Sequence, residues 1–347
     1  MPTVNSHNEW DQLEEVIVGT IKNAQRPHRD KGQLMIEFFG KADPSEIPTG
    51  PFEKQVMDET EEDLTELANT LQKLDIKVRR PNEVDHSKSF SSPNWQSDGF
   101  YNYCPRDIFL VVGDTVIEAP MTLRCRYFET EAYKELMTEY LKSGSKWISA
   151  PKPRLLDNTY NETDDEYKVL SNIEPIFDAA NIVRAGKDLF FLISSTGNEL
   201  GYQWLQNYLG STYRVHPCRN LYSSVHIDST MCFLRPGLAL LNPARVNSTN
   251  LPKPLEKWDK IWCPPLVDTG YVGKHAYSSI WVGMNFLMIN PNLAIVDKRQ
   301  EALIKVLEQN KIDIIPLQLR HSRTLGGGFH CVTLDIRRKG KLEDYFG

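Results

Sequence analysis

The 347 residues are 40% hydrophobic and 25% charged, the composition of an ordinary globular chain with enough length to bury a full core. A formal net charge of −6 and a pI near 5.8 argue against nucleic acid or an anionic membrane as the main partner, since either favours a basic face. No stretch approaches the roughly 18 consecutive apolar residues of a membrane span. The start, MPTVNSHNEWDQLEEV, lacks the basic and apolar regions of a signal peptide.

In chain order, EEVIVGT (14–20) reads as a strand, and the segment 22–52, with several Pro and Gly, as a long loop and candidate lid. DETEEDLTELANTLQKL (58–74) reads as a helix, followed by the strand IKVRRP (76–81). Five hairpin signals follow, each an apolar run broken by Gly, Pro, Asn or Asp. They are IFLVVGDTVIEAP (108–120), NIVRAGKDLFFLI (181–193), MCFLRPGLALLNP (231–243), NFLMINPNLAIVD (285–297) and CVTLDIRRKGKLEDY (331–345), the last turning near Gly340. Helical stripes at 131–144, 201–210 and 300–310 separate some of them. Hairpin-and-helix units repeated along one chain predict radial repetition, which protects sheet edges; a generic α/β fold is the alternative. No linker divides the chain, so 1–347 reads as a single domain.

The six cysteines are scattered with no CxxC pair. That pattern suits neither a zinc ribbon nor a disulfide framework, and a reducing cytoplasm is the expected compartment.

A compact polar cluster precedes each hairpin: Pro105-Arg106-Asp107, Phe177-Asp178, His226-Ile227-Asp228, Ser278-Ser279, and Gly326 to Cys331. Radial units would bring these positions to one end of the axis. A cysteine attacks as its thiolate, and the three glycines before Cys331 permit positive φ and close approach to a ligand. His226 can shuttle protons, oriented by a carboxylate such as Asp178. If 226–228 is a strand, His226 and Asp228 share a face. Asp107 and Asp228 are then free to hold a guanidinium, whose fork of donors suits carboxylates. Taken singly, each has a plainer reading: Cys331 a small buried hydrophobe, Gly326–Gly328 a turn, Asp107 and Asp178 turn acceptors or caps, His226 a core histidine. His330 is read as facing away, and the cysteines other than Cys331 as structural. His7 and His321 have no readable role.

The motifs YCPRDIFLVVGDTVIEAPM, WISAPKPRL, PIFDAANIVRAGKDLF, VHIDST and HSRTLGGGFHC resemble the amidinotransferase family of the pentein (guanidine-modifying) superfamily. The resemblance runs nearly end to end. SDGFYNYCPRD, VHPCRNLYSSVHIDST and LNPARVN place it nearest the inosamine-phosphate amidinotransferases of streptomycin-type pathways. It implies a five-bladed α/β propeller of ββαβ modules with pseudo-five-fold symmetry, without metal or organic cofactor. It implies catalytic roles for Cys331, His226 and Asp178, substrate contacts from Asp107, Asp228 and Ser279, and a carboxylate-binding Arg245. It implies transfer of the amidino group of arginine, through Cys331, to an amine acceptor with release of ornithine, and a homodimer. The leading acceptor is scyllo-inosamine 4-phosphate, with glycine, lysine or another small amine behind it. The alternatives are an arginine deiminase-type hydrolase and a non-catalytic pentein binding protein. Two departures from the glycine-using branch stand out: Asn181 follows FDAA where that branch has Asp, and the segment before the HID motif differs. That segment borders the acceptor pocket. Arg219 is its one candidate for holding a phosphate, and a surface role suits it better.

Overall fold

Residues 2–38 and 43–347 are described by the structure, a computed structural model. The single domain expected over 1–347 also takes in residues 1 and 39–42, which lie outside the described residues.

Four sheets repeat one pattern. Strands Phe109–Val112 and Thr115–Glu118 are antiparallel, and Lys146–Ser149 adds in parallel. The same order holds for Ile182–Ala185, Asp188–Leu192 and Arg214–Cys218. It holds again for Met231–Arg235, Leu238–Leu241 and Asp259–Trp262, and for Leu287–Asn290, Leu293–Asp297 and Asp313–Leu317. Tight turns make each antiparallel pair, with Gly113, Gly186 and Gly237 at φ of 60°, 66° and 80°, where a Cβ is disfavoured. A parallel third strand requires a crossover. Helices Lys134–Lys142, Glu199–Leu209 and Glu301–Gln309 supply it in three sheets. In the Met231 sheet the crossover stays a 3₁₀ turn, Lys253–Lys257, with Pro252 before it and Pro254 in its first turn.

The fifth sheet departs from the expected hairpin at 331–345. Thr333–Lys339 is a single strand, and it pairs antiparallel with Gln12–Val18, which pairs in parallel with Lys77–Arg79. Helix Lys54–Lys73 makes the crossover between the last two. The residues after Gly340 are mostly polar and exposed, so no second apolar run exists there to fold back. The five sheets are the blades of an α/β propeller of the ββαβ type.

Strands such as Phe109–Val112 and Asp188–Leu192 are buried at every residue, as strands covered on both faces are. A buried ion network joins several blades. Asp335 accepts from Arg106 at 2.5 Å, Arg184 at 2.6 Å and Arg338 at 2.8 Å, and Arg184 also holds Glu9 at 2.8 Å. The segment 22–52 is more ordered than a loop. Gln25–Arg26 pairs with Gly50–Pro51, and a short helix spans Lys31–Ile36. The part of the expected lid at 39–42 lies outside the described residues.

Candidate active site

Asp107, Asn285 and Cys331 each stand two residues before an inner strand, those beginning at Phe109, Leu287 and Thr333. The repeat therefore delivers them to one end of the propeller. A cavity of about 260 Å³ opens there. His226, Asp228, Arg245, Ser278, Ser279, Asn285 and Cys331 line it, with Ile36 and Glu37 of the 22–52 segment.

Cys331 is 3% exposed. Its thiol donates to Asp228 Oδ2 at 3.1 Å. Asn285 grips it twice: Oδ1 accepts from the Cys331 amide at 2.9 Å, and Nδ2 donates to Sγ at 3.1 Å. Its hydrogen bond with Cys104, then burial and the Asp228 charge, hold the Cys331 thiol well above its ordinary pKa, against the opposing pull of His226. In the free enzyme it is a thiol.

His226 lies between two acids. Nε2 is 3.2 Å from Asp178 Oδ2 and Nδ1 is 3.6 Å from Asp107 Oδ1. Burial works against the imidazolium, but Asp107, Asp178 and Cys331 outweigh it and raise the pKa well above the ordinary value. Asp178 is fixed by Thr122, whose amide and hydroxyl donate to Oδ1 at 3.0 and 2.9 Å. It immediately precedes the 3₁₀ turn Ala179–Asn181 yet makes no side-chain cap there. Asp107 and Asp178 do not line the cavity; they stand behind His226.

Asp107 Oδ2 accepts from Arg126 at 2.8 Å, and its buried Oδ1 has no hydrogen-bond partner among the described residues. Burial raises its pKa against His226 and Arg126. For Asp228, burial is outweighed by His330 and His226, and its pKa falls to about 2. Arg245 donates to the Ser229 carbonyl and hydroxyl at 3.1 and 2.9 Å, the Thr230 hydroxyl at 2.8 Å and Ser279 at 3.4 Å.

Three readings change. Residues 226–228 are a loop that leads into a turn at 228–230, not a strand, and His226 has φ of 56°. His226 and Asp228 both reach the cavity through this loop geometry, not strand alternation. His330 does not face away: its Nδ1 is 3.0 Å from Asp228 Oδ2 and its Nε2 is 3.3 Å from Glu9. Cys104 is beside the site, its sulfur within 4.8 Å of both the Cys331 sulfur and an Asp107 carboxylate oxygen. Of the three glycines only Gly326 has positive φ, 85°. At Gly327 and Gly328 a Cβ would stand 2.6 Å from the Cys104 sulfur and 2.6 Å from the Asn285 carbonyl, so close approach is the requirement there. Arg219 pairs with Glu199 at the surface and is absent from the cavity wall.

Asn285, Arg126 and Thr122 had no place in the sequence reading. Asn285 could have been found, since it holds the same position before its strand as Cys331 does. Nothing in the sequence ties Arg126 or Thr122 to their aspartates.

Fold and site together define the class: a pentein, the propeller type that modifies guanidinium groups. The chain is 54% identical over 346 residues to inosamine-phosphate amidinotransferase 1 of Streptomyces glaucescens, covering 99% of each. The L-arginine:L-lysine amidinotransferase of Pseudomonas savastanoi pv. phaseolicola is 38% identical over 361 residues, covering 99% of this chain and 96% of that one. The solved inosamine-phosphate amidinotransferase of Streptomyces griseus superposes with a TM-score of 0.98 at 52% identity, covering 100% of both chains. No protein-family model matches the chain. The chain belongs to the amidinotransferase family. Among the described residues no helix is long and apolar enough to cross a membrane.

Proposed function

We propose that the chain transfers the amidino group of L-arginine to an inosamine phosphate, with scyllo-inosamine 4-phosphate the leading acceptor. The observation that carries this is the Cys331 thiol set against Asp228 and within 4.8 Å of Asp107, with His226 placed between Asp107 and Asp178. The relatives' acceptors supply the second substrate.

The guanidinium sits against Asp228 on the cavity wall, with Asp107 reaching it from behind through the Oδ1 that has no hydrogen-bond partner among the described residues, and the arginine carboxylate sits on Arg245 and Ser279. A cation placed beside Cys331 offsets the charge of Asp228, lowers the thiol pKa and releases its proton to solvent. The thiolate adds to the guanidinium carbon. His226 then protonates the departing nitrogen, the C–N bond breaks, and ornithine leaves with its side-chain amine neutral. An amidino-thioether cation remains on Cys331. The acceptor enters as an ammonium and gives one proton to His226. Its amine adds to the same carbon, a second proton passes to the sulfur, and the C–S bond breaks. The enzyme returns to thiol and imidazolium, and the guanidino product departs. A covalent nucleophile thus divides one difficult exchange into two substitutions.

Intact-protein mass spectrometry tests this reading. Arginine alone should add one amidino group to the protein, Cys331→Ala should abolish the adduct, and inosamine phosphate should discharge it. Citrulline and ammonia formed without an amine would instead support the hydrolase. Cytoplasmic location and a homodimer belong to the same proposal; fractionation and sedimentation check them.

A further inference from the structure

Arg245 is unusual among the buried or half-buried arginines of the chain. Arg106, Arg126, Arg184 and Arg338 all hold carboxylates. Among the described residues Arg245 holds none: its acceptors are the serine and threonine groups given above, all neutral. One face of its guanidinium is covered by Tyr222, 3.5 Å from the ring centroid. Burial lowers its pKa against the pull of Tyr222 and the Asp228 charge: the guanidinium is largely out of water, and no carboxylate pairs with it among the described residues. Such a group calls for an anion. The other arginine on the cavity wall, Arg323, is already neutralised by Asp268 and stacked near Tyr271.

Both half-reactions pass through the one carbon on Cys331, so ornithine must leave before the acceptor can enter. The place of the arginine carboxylate is then empty, and its cation is again without a partner. The two substrates also have similar reach. Counted from the transferred carbon, the phosphorus at the opposite corner of a six-membered ring lies one covalent bond farther than the carboxylate carbon of arginine.

We propose that Arg245, with the Ser229, Thr230 and Ser279 hydroxyls around it, is a single anion subsite used twice per turnover. It holds the carboxylate of the donor, then the phosphate of the acceptor. This rests on the proposed amidino transfer to a phosphorylated cyclitol. One cation then sets the distance from anchor to Cys331 for both substrates. Acceptors whose anion and amine are closer together fit the pocket poorly.

The two half-reactions separate the possibilities. Adduct formation on the wild-type enzyme is followed at increasing arginine, with and without inorganic phosphate. Discharge of the preformed adduct is then followed with inosamine phosphate and with dephosphorylated inosamine. Inorganic phosphate should compete with arginine for loading. Arg245→Gln should raise the arginine needed for half-loading roughly tenfold or more, and shrink the preference for the phosphorylated acceptor by a similar factor. Arg323→Gln should leave that preference within about twofold. Arg245→Lys keeps a charge and serves if the glutamine variant misfolds; it should recover part of both effects. The proposal is overturned if phosphate does not compete, if the Arg245 variants weaken arginine alone, or if Arg323→Gln abolishes the phosphate preference. A wild-type enzyme that forms no adduct, or whose adduct inosamine phosphate does not discharge, would sink the proposed function instead.

Discussion

Replacing Asp335 by Asn tests the buried ion network that joins the blades. Asp335 is 0% exposed and accepts from three arginines and from the Ser6 hydroxyl at 2.8 Å. Asn is nearly isosteric, so packing is preserved. The charge is lost, and one acceptor oxygen becomes an NH₂ aimed at guanidinium donors. Glu9 is then left to balance Arg106 and Arg184, and Arg338 keeps no ion pair among the described residues. Breaking a buried pair by removing one partner costs about 3–5 kcal/mol, and for a chain of this size that corresponds to a fall in Tm of about 5 °C. The pH dependence has a definite sign. Burial opposes ionisation of Asp335, but Arg184, Arg106 and Arg338 hold its pKa well below the ordinary value. Its contribution is therefore fully present above the unfolded carboxylate pKa and is lost only as pH falls through the folded one. Urea unfolding of both proteins at several pH values should show a constant gap across neutral pH that closes in strong acid. A gap under about 1 kcal/mol, or one that changes between about pH 6 and 8, would refute the reasoning.

Three further outcomes follow from the site. Because Cys331 is a thiol in the free enzyme, its alkylation by iodoacetamide should climb about tenfold per pH unit from 7 to 9, and a plateau at neutral pH would contradict this. Asp178→Asn removes one of the acids that keep His226 charged. Turnover should fall by about 10²–10⁴-fold and the His226 pKa read by NMR should drop, with arginine half-saturation little changed; an unmoved titration would show that Asp178 only packs. Gly328→Ala brings a Cβ against the Asn285 carbonyl and displaces the grip on Cys331. Alkylation should slow at every pH while Tm falls by only a few degrees, and normal alkylation would mean the loop yields freely.

Four of the five blades were legible because local chemistry writes them. Gly113, Gly186 and Gly237 turn one apolar run back on the next within a few residues. The fifth blade was misread because the partner of Thr333–Lys339 lies at Gln12–Val18, and no local pattern encodes a pairing across that separation. Cys331, Asp228 and Arg245 were found through position and motif. The local geometry at His226 and the direction of His330 were misjudged because alternation of faces holds only in strands, and His226 lies in a loop and His330 in a turn. Arg126 and Thr122 act on Asp107 and Asp178 through contacts that only the folded chain creates.

The pairing of Gln12–Val18 with Thr333–Lys339 also sets a timetable for synthesis. Until the last of these residues has left the ribosome, the early strand has an unpaired edge, the kind of surface that invites wrong partners. Contacts this distant in sequence form slowly, since almost the whole chain must be drawn into a loop first. Cys331 sits two residues before the sealing strand. A nascent chain is therefore chemically inert until Cys331 and the strand after it have emerged, and the step that seals the ring is the step that sets the nucleophile against Asn285 and Asp228.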